Sequence, residues 1–267
     1  MGGRGEDVGL FGRSVVWLHG WGMSSVIWRA VPAFGRFDSR ALTLPGHGRE
    51  AWDEALGSDI TRWALRLLER APERAIWVGW SLGGLLALEV ARLAPKRVTG
   101  LVLLASSPCF VAQGEWSCAM SAETLAQFEL GLAQDHALTL RRFLALQTLG
   151  ARDAKQVRSV LNAAAVDAAQ VDVRALRAGL KILHETDRRQ TLANLDMPVA
   201  VLLGGLDRIV PPCAAEAYLR LNPAVQVLSV PQAGHAPFLY VGEHDAESTR
   251  GLSFDAWLTE VMQGMAK

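Results

Sequence analysis

A serine at position 81 lies in a Gly-x-Ser-x-Gly pattern, in which its hydroxyl group could act as a nucleophile. Apolar residues at 75–78 predict a buried strand before it, and apolar residues at helical spacing follow it from 85 to 93. A strand, a sharp turn and a helix around this pattern form a nucleophile elbow, whose strained backbone points the hydroxyl group toward a base. The helix N-terminus also offers backbone N–H groups to developing negative charge. We therefore predict a catalytic Ser81, the alternative being a serine that only caps the helix.

A base and an orienting acid for this serine follow two later strand patterns. Asp207 comes just after the apolar run 198–204, and His235 follows the run 225–230 on a small turn. The chain order Ser81, Asp207, His235 is the order found in α/β hydrolases with a nucleophile elbow. In this arrangement His235 takes the serine proton, and Asp207 holds the imidazole in the required tautomer.

The remaining histidines do not follow a strand after an acid-bearing loop, so we do not assign them as the base. They are His19, His47, His136, His184 and His244. His19 ends the apolar run 14–18, and we expect it to brace the loop that follows by hydrogen bonds.

That loop, at positions 19–22, carries two glycines after a strand, a sequence that allows a tight turn with N–H groups pointing into a cleft. An elbow serine needs one oxyanion donor from the residue after it and one from such a loop. We therefore predict that the backbone N–H groups of Leu82 and Trp21 form the oxyanion hole.

Strand and helix patterns alternate through the first part of the chain, which predicts a mostly parallel sheet flanked by helices, an α/β fold. The alternation stops between 111 and 189, where every pattern is helical, and resumes afterwards. We therefore predict an α/β-hydrolase core at 1–110 and 190–267 with an inserted helical cap at 111–189. The predicted strands cover 14–18, 37–44, 75–78, 98–105, 198–204 and 225–230, and the predicted cap helices begin near 121, 137, 153 and 173.

Composition excludes several classes of function. The 267 residues carry 27 Lys and Arg against 27 Asp and Glu, so no net field attracts nucleic acid or an anionic membrane. The first residues lack the apolar core of a signal peptide, and no apolar run reaches membrane-spanning length. We expect a cytoplasmic protein without a metal or cofactor, because no metal-binding motif is present. Cys109, Cys118 and Cys213 are too few and too scattered for a disulfide framework, and we expect small buried side chains.

Two features of the predicted cap leave alternatives open. The apolar segment 143–147 either lines the cleft or only holds the cap together. A local excess of basic residues is either a docking surface for an acidic partner or a solvated helix face. These residues are Arg141, Arg142, Arg152, Lys155 and Arg158, with Arg174, Arg177 and Lys181 farther on.

From about Ser14 onward the chain resembles the α/β-hydrolase superfamily, and several stretches resemble one family within it. They are His-Gly-Trp-Gly-Met at 19–23, Trp-Val-Gly-Trp-Ser-Leu-Gly-Gly at 77–84, Ala-Ser-Ser-Pro-Cys-Phe at 105–110, Arg-Phe-Leu-Ala-Leu-Gln-Thr at 142–148 and His-Ala-Pro-Phe at 235–238. Together they are similar to the pimeloyl-acyl-carrier-protein methyl ester esterases of biotin synthesis, the BioH family.

The resemblance implies hydrolysis of the methyl ester on pimeloyl-acyl-carrier protein, which gives methanol and the free pimeloyl-carrier. It implies that the basic cap residues, Arg141, Arg142, Arg152, Lys155 and Arg158, engage the acidic carrier protein, and we expect a monomer. It also implies substrate contacts from Trp21, Ser81, Leu82, Phe143, Leu144, Ala145, Leu146, Gln147 and His235.

Three other functions use the same fold. A promiscuous short-chain carboxylesterase or thioesterase would have the same catalytic residues, so only substrate comparison separates it. A haloalkane dehalogenase or epoxide hydrolase would need Asp at position 81, and the serine excludes both. A non-catalytic binding protein would usually have lost part of the triad, whereas all three members are present here.

Overall fold

A computed structural model describes residues 13–165, 171–240 and 253–265 of the chain. In this part of the chain, six parallel strands form one sheet in the order β2-β1-β3-β4-β5-β6. The strands are Ser14–Leu18 (β1), Asp38–Leu42 (β2), Ala75–Trp80 (β3), Val98–Leu104 (β4), Val199–Gly204 (β5) and Gln226–Val230 (β6). The predicted parallel sheet and its strands are therefore confirmed.

Helices connect these strands and cover both faces of the sheet. Within the described residues they are Ile60–Arg70 (α1), Leu82–Leu93 (α2), Ala122–Gln134 (α3), His136–Gln147 (α4), Ala154–Ala164 (α5), Val173–Glu185 (α6), Arg189–Ala193 (α7), Ala214–Leu221 (α8) and Phe254–Gly264 (α9). Side chains alternate along a strand, so β1 sends Val16 and Leu18 into one core and Val15 and Trp17 into the other. Parallel strands covered on both faces are buried on both, and every residue of β3 and β5 is buried.

Between β4 and β5 the described chain forms helices α3 to α7 and adds no strand to the sheet. The chain leaves and re-enters the core at one place, where Cys109 forms a β-bridge with Asp187. The Arg188 N–H also donates to the Pro108 carbonyl at 2.7 Å. This junction lies beside the predicted cap limits of 111 and 189, which stay a prediction.

The structure corrects the prediction made for two of the three cysteines. Cys118, before α3, forms a disulfide with Cys213 at the start of α8, and their Cα atoms are 5.6 Å apart. A separation of 95 residues hid this pair, because only the folding of the cap segment onto α8 brings the two side chains together. Cys109 is the buried free thiol that was expected, and burial raises the pKa of its thiol group.

Candidate active site

Ser81 lies between the last residue of β3 and the first residue of α2, with φ 55° and ψ −121°. A non-glycine residue in this region of backbone space costs about 1–3 kcal/mol, so the surrounding structure must hold it there. A Cβ at Gly79 would lie 2.4 Å from the Gly83 carbonyl oxygen, and one at Gly83 would lie 2.4 Å from the Leu18 carbonyl oxygen. The two glycines therefore allow strand and helix to meet closely, as the elbow pattern predicts.

His235 and Asp207 form a buried pair beside the elbow. His235 Nδ1 lies 2.7 Å from Asp207 Oδ2, and both side chains are fully buried. Asp207 Oδ1 accepts hydrogen bonds from the backbone N–H groups of Ile209 at 2.7 Å and Val210 at 3.0 Å. An ionised carboxylate only accepts, so the imidazole carries its proton on Nδ1 and leaves Nε2 free to accept one.

His235 Nε2 is buried, and among the residues that the structure describes it has no hydrogen-bond partner. A buried polar atom without a partner costs about 1–3 kcal/mol, so the fold keeps this nitrogen unpaired at a cost in stability. The backbone of His235 is held from two sides, because its N–H donates to the Gln147 carbonyl at 2.8 Å and its carbonyl accepts from Trp80 Nε1 at 2.7 Å. The open nitrogen is therefore held rigidly in place by both the cap and the elbow strand.

Two buried histidines brace the loop after β1. Leu44 N–H donates to His19 Nε2 at 3.0 Å, and His19 Nδ1 lies 2.9 Å from the Gly20 carbonyl, which confirms the bracing role. His47 Nε2 accepts from the Gly22 N–H at 3.4 Å. Burial lowers the pKa of His19 to about 3 and that of His47 to about 4, so both rings are neutral near pH 7.

His47 was not assigned as the base at the sequence level, and the bracing role of this residue was missed there. The signal that could have revealed it is its place after β2. This strand is parallel to β1, so its carboxyl end lies beside the loop after β1. Parallel neighbours end at one edge of a sheet, so a histidine there can contact the next loop.

Helix α6 of the cap packs directly on both predicted oxyanion residues. Trp21 is fully buried, and its Nε1 donates to the Leu176 carbonyl at 2.8 Å. A Cβ at Gly179 would lie 2.8 Å from Trp21 Cδ1 and 3.3 Å from Leu82 Cδ2. Sequence reasoning missed Gly179, because a single glycine inside a helical pattern does not say which side chains lie against it.

The segment 143–147 forms the end of α4, and the helical twist divides its side chains. Phe143 is buried with its ring 4.9 Å from that of Trp21, and Leu144 is buried as well. Gln147 is only 2% exposed, and neither polar atom of its side chain has a partner among the described residues. Leu146 is half-buried, and Ala145 lies on the exposed side of the helix.

Ser81 itself is 2% exposed, so little space connects it to solvent. The predicted docking residues, in contrast, are all exposed on the cap: Arg141, Arg142, Arg152, Lys155 and Arg158.

Arg158 donates two hydrogen bonds to Thr148 Oγ1, at 3.0 and 3.1 Å. Thr148 is the residue after Gln147 in the chain, so Arg158 lies near Gln147. His136 and His184 lie in α4 and α6, and His244 lies outside the described residues.

The described ranges hold neither a metal-binding cluster nor a membrane-spanning helix. No cluster of three His, Cys, Asp or Glu side chains in residues 13–165, 171–240 and 253–265 is placed to hold a metal ion. None of the helices in those same ranges is long and apolar enough to cross a bilayer.

Comparison with known proteins adds independent findings. Residues 15–247 match the alpha/beta hydrolase family. The chain is 42% identical over 229 residues to a pimeloyl-[acyl-carrier protein] methyl ester esterase from Edwardsiella ictaluri, covering 85% of this chain and 88% of that protein. It is 40% identical over 240 residues to the esterase of the same name from Pectobacterium carotovorum, covering 88% and 91% of the two chains.

Solved structures agree on the fold. A hydrolase from Oleispira antarctica aligns with TM-score 0.74 at 15% identity, covering 94% of this chain and 91% of that one. An esterase from Exiguobacterium antarcticum aligns with TM-score 0.73 at 18% identity, covering 94% and 92%. At these identities the likeness concerns the fold alone.

Proposed function

Because the chain belongs to the alpha/beta hydrolase family and to its pimeloyl-[acyl-carrier protein] methyl ester esterases, we propose that it hydrolyses the methyl ester of a pimeloyl group on acyl-carrier protein. It is a carboxylic ester hydrolase, and this reaction would serve biotin synthesis. The observation that carries the chemistry is His235, whose Nδ1 is bonded to Asp207 while its buried Nε2 has no partner among the described residues.

The proposed mechanism uses Ser81, His235 and Asp207 as a catalytic triad. Ser81 Oγ attacks the ester carbonyl carbon, and its proton passes to His235 Nε2. The carbonyl oxygen becomes an oxyanion and accepts hydrogen bonds from the backbone N–H groups of Trp21 and Leu82. Asp207 stabilises the imidazolium that forms, and it keeps its own negative charge.

Methanol leaves as the tetrahedral intermediate collapses, and the proton on His235 Nε2 passes to the departing oxygen. The acyl group then remains as an ester on Ser81. Water attacks this ester with the same imidazole as base. Collapse of the second tetrahedral intermediate then releases the pimeloyl-carrier with a free carboxyl group and restores the serine hydroxyl.

The cap supplies part of the substrate contacts in this proposal. Phe143 gives apolar surface beside Trp21, and Leu144 lies in the other apolar core, with Met23 and Trp80. The Gln147 amide, which has no partner among the described residues, offers donors and an acceptor to a polar group of the ester. Trp21, Ser81, Leu82, Leu146 and His235 complete the proposed contact set. Ala145 is also proposed to contact substrate, and this contact would need its exposed side of α4 to face the acyl chain or its carrier.

We propose that the carrier docks on the exposed basic residues of the cap. Arg158 bonds to Thr148, and the neighbouring Gln147 carbonyl holds the His235 N–H, so this surface is close to the catalytic base. A carrier bound there could deliver its acyl chain over a short path. The other members of this surface are Arg141, Arg142, Arg152 and Lys155. We further propose that the cap spans 111–189 and that the enzyme acts as a cytoplasmic monomer, since one chain contributes every group in the mechanism.

The test compares three substrates: pimeloyl-acyl-carrier-protein methyl ester, the same ester on a small thiol, and p-nitrophenyl acetate. We expect a strong preference for the carrier-bound ester and a loss of about 10⁴-fold or more in kcat for Ser81→Ala. Equal rates on all three would favour the promiscuous esterase instead. A folded protein that hydrolyses none of them would favour a non-catalytic binding role.

Docking is tested by charge reversal on the cap surface. Arg142→Glu should raise KM for the carrier-bound ester about tenfold and leave p-nitrophenyl acetate hydrolysis unchanged, because charges at an interface mainly affect association. Arg177→Glu is the matched control, since Arg177 is an exposed cap arginine outside the proposed surface. Equal effects of both variants would contradict the proposed surface.

A further inference from the structure

Glu89, in the middle of α2, is a fully buried carboxylate held by four hydrogen bonds. Arg92 donates from Nε at 2.8 Å and from Nη2 at 2.7 Å, Arg188 donates from Nε at 2.6 Å, and Thr61 donates from Oγ1 at 2.7 Å. Burial raises the pKa of this carboxyl group, but the hydrogen bonds from Arg92, Arg188 and Thr61 outweigh burial and lower it to about 2. Glu89 is therefore ionised at neutral pH and fully satisfied.

Arg188 differs from the other two donors because it comes from the far end of the cap segment. Thr61 and Arg92 belong to α1 and α2 of the core, whereas Arg188 lies between α6 and α7. Its backbone N–H donates to Pro108, just after β4, so this residue sits where the chain re-enters the core. Glu89 thus anchors the C-terminal end of α6 to the helix that begins at the elbow.

The other part of α6 reaches the predicted oxyanion hole. The Leu176 carbonyl in its first turn accepts from Trp21 Nε1 at 2.8 Å, and Gly179 packs against both Trp21 and Leu82. Leu82 is in turn the first residue of α2, the helix that carries Glu89. The two N–H donors are therefore linked through α2, Glu89, Arg188 and α6.

We propose that Arg188 is a positioning residue for catalysis: its bond to Glu89 holds α6 in place and thereby sets the position of Trp21 relative to Leu82. This role rests on the proposed function, in which both N–H groups bind the oxyanion. It is not a contact with substrate, since Arg188 acts only through α6 and the Trp21 side chain.

Loss of this anchor should lower kcat and leave KM nearly unchanged. Oxyanion donors bind the charge that develops in the transition state, so a shift in their position removes little ground-state binding. Removal of one oxyanion donor typically lowers kcat by a factor of about 10²–10³, and displacement of a donor should lower kcat by a smaller factor. We expect a decrease of about tenfold.

The variant is Arg188→Met, and Arg92→Met is its matched control. Both remove hydrogen bonds from the same carboxylate, but Arg92 donates from within α2, whereas Arg188 donates from the end of the cap segment. Both variants should lower Tm, and only Arg188→Met should reduce kcat. Arg188→Lys, which keeps the charge, should restore part of the rate. The substrate is p-nitrophenyl acetate, which is too small to depend on carrier docking.

A second readout follows the indole N–H of Trp21 by ¹⁵N NMR. Its hydrogen exchange should accelerate in Arg188→Met and stay at the wild-type rate in Arg92→Met. Equal changes of kcat or of indole exchange in the two variants, or an Arg188→Met enzyme with wild-type kcat, would show that Arg188 is only structural. A wild-type protein without esterase activity would overturn the proposed function. An active wild type whose two variants behave alike would overturn only the positioning role of Arg188, so the two failures can be told apart.

Discussion

Lowering the pH from 7 to 5 should destabilise the folded protein by about 4 kcal/mol, because two histidines are buried in the neutral form. His19 and His47 each use Nε2 to accept a backbone N–H, and each places Nδ1 at 2.9 Å from a carbonyl oxygen. A proton added to Nε2 would face a donor in both cases. Protonation is therefore opposed by geometry as well as by burial.

The magnitude follows from the pKa values. Burial lowers the pKa of His19 from 6.5 to about 3 and that of His47 from 6.5 to about 4. The unfolded chain binds these protons below 6.5 and the folded chain does not, so stability falls as the pH drops through 6.5. It continues to fall until the folded imidazoles take up protons, near pH 4 and then pH 3. At pH 5, about 1.5 units below 6.5, each ring contributes a loss of about 2 kcal/mol.

The assay is urea unfolding followed by tryptophan fluorescence at pH 7 and pH 5, with the difference taken within each variant. His47→Gln keeps an acceptor of similar reach but cannot titrate in this range, so it should lose only about 2 kcal/mol. Trp63→Phe is the control, because Trp63 packs against His47 with ring centroids 6.4 Å apart and does not titrate. This control should show the full loss of about 4 kcal/mol.

Two results would refute the reasoning. A wild-type loss below about 1 kcal/mol between pH 7 and pH 5 would mean that the rings take up protons in the folded state. A His47→Gln variant with an undiminished loss would mean that other groups cause the pH dependence. The link to function is direct, because His47 holds Gly22, the residue after the proposed oxyanion donor Trp21.

Three further predictions test the site and its support. Asp207→Asn should lower kcat by about 10³–10⁴ at little cost in Tm, since the proposed catalytic imidazole loses its tautomer control; a smaller loss than tenfold would contradict the proposed triad. Gly179→Ala should lower kcat about tenfold although alanine favours the helix, because its Cβ would lie 2.8 Å from Trp21 Cδ1; unchanged kinetics would contradict this close packing. Reduction of the Cys118–Cys213 disulfide by dithiothreitol should cost about 2–4 kcal/mol of stability and leave kcat at 25 °C unchanged, measured by thermal unfolding and esterase assay. A double serine variant of these cysteines should not respond to the reductant; an unchanged Tm of the reduced wild type would be the opposing result.

Much of the candidate site could be predicted from the sequence because its signals are local. The elbow around Ser81 depends on a strand, a glycine-flanked turn and a helix that are consecutive in the chain. Asp207 and His235 each follow their own strand pattern, and parallel strands bring such residues to one edge of the sheet. Chain order and strand ends were therefore enough to predict the pair that the structure shows at 2.7 Å.

The cap was predicted as helical, but its contacts were decided only by tertiary structure. Three of these contacts join residues that are about 95 or more positions apart in the chain. They are the Cys118–Cys213 disulfide, the hydrogen bond from Arg188 to Glu89 and the packing of Gly179 on Trp21. No local pattern encodes them, because they depend on how α6 and the cap's first segment lie on the core. A helix repeats every 3.6 residues, so its orientation around its own axis decides which side chains face the site. That orientation, set by packing, buries Phe143 and Gln147 and leaves Ala145 exposed.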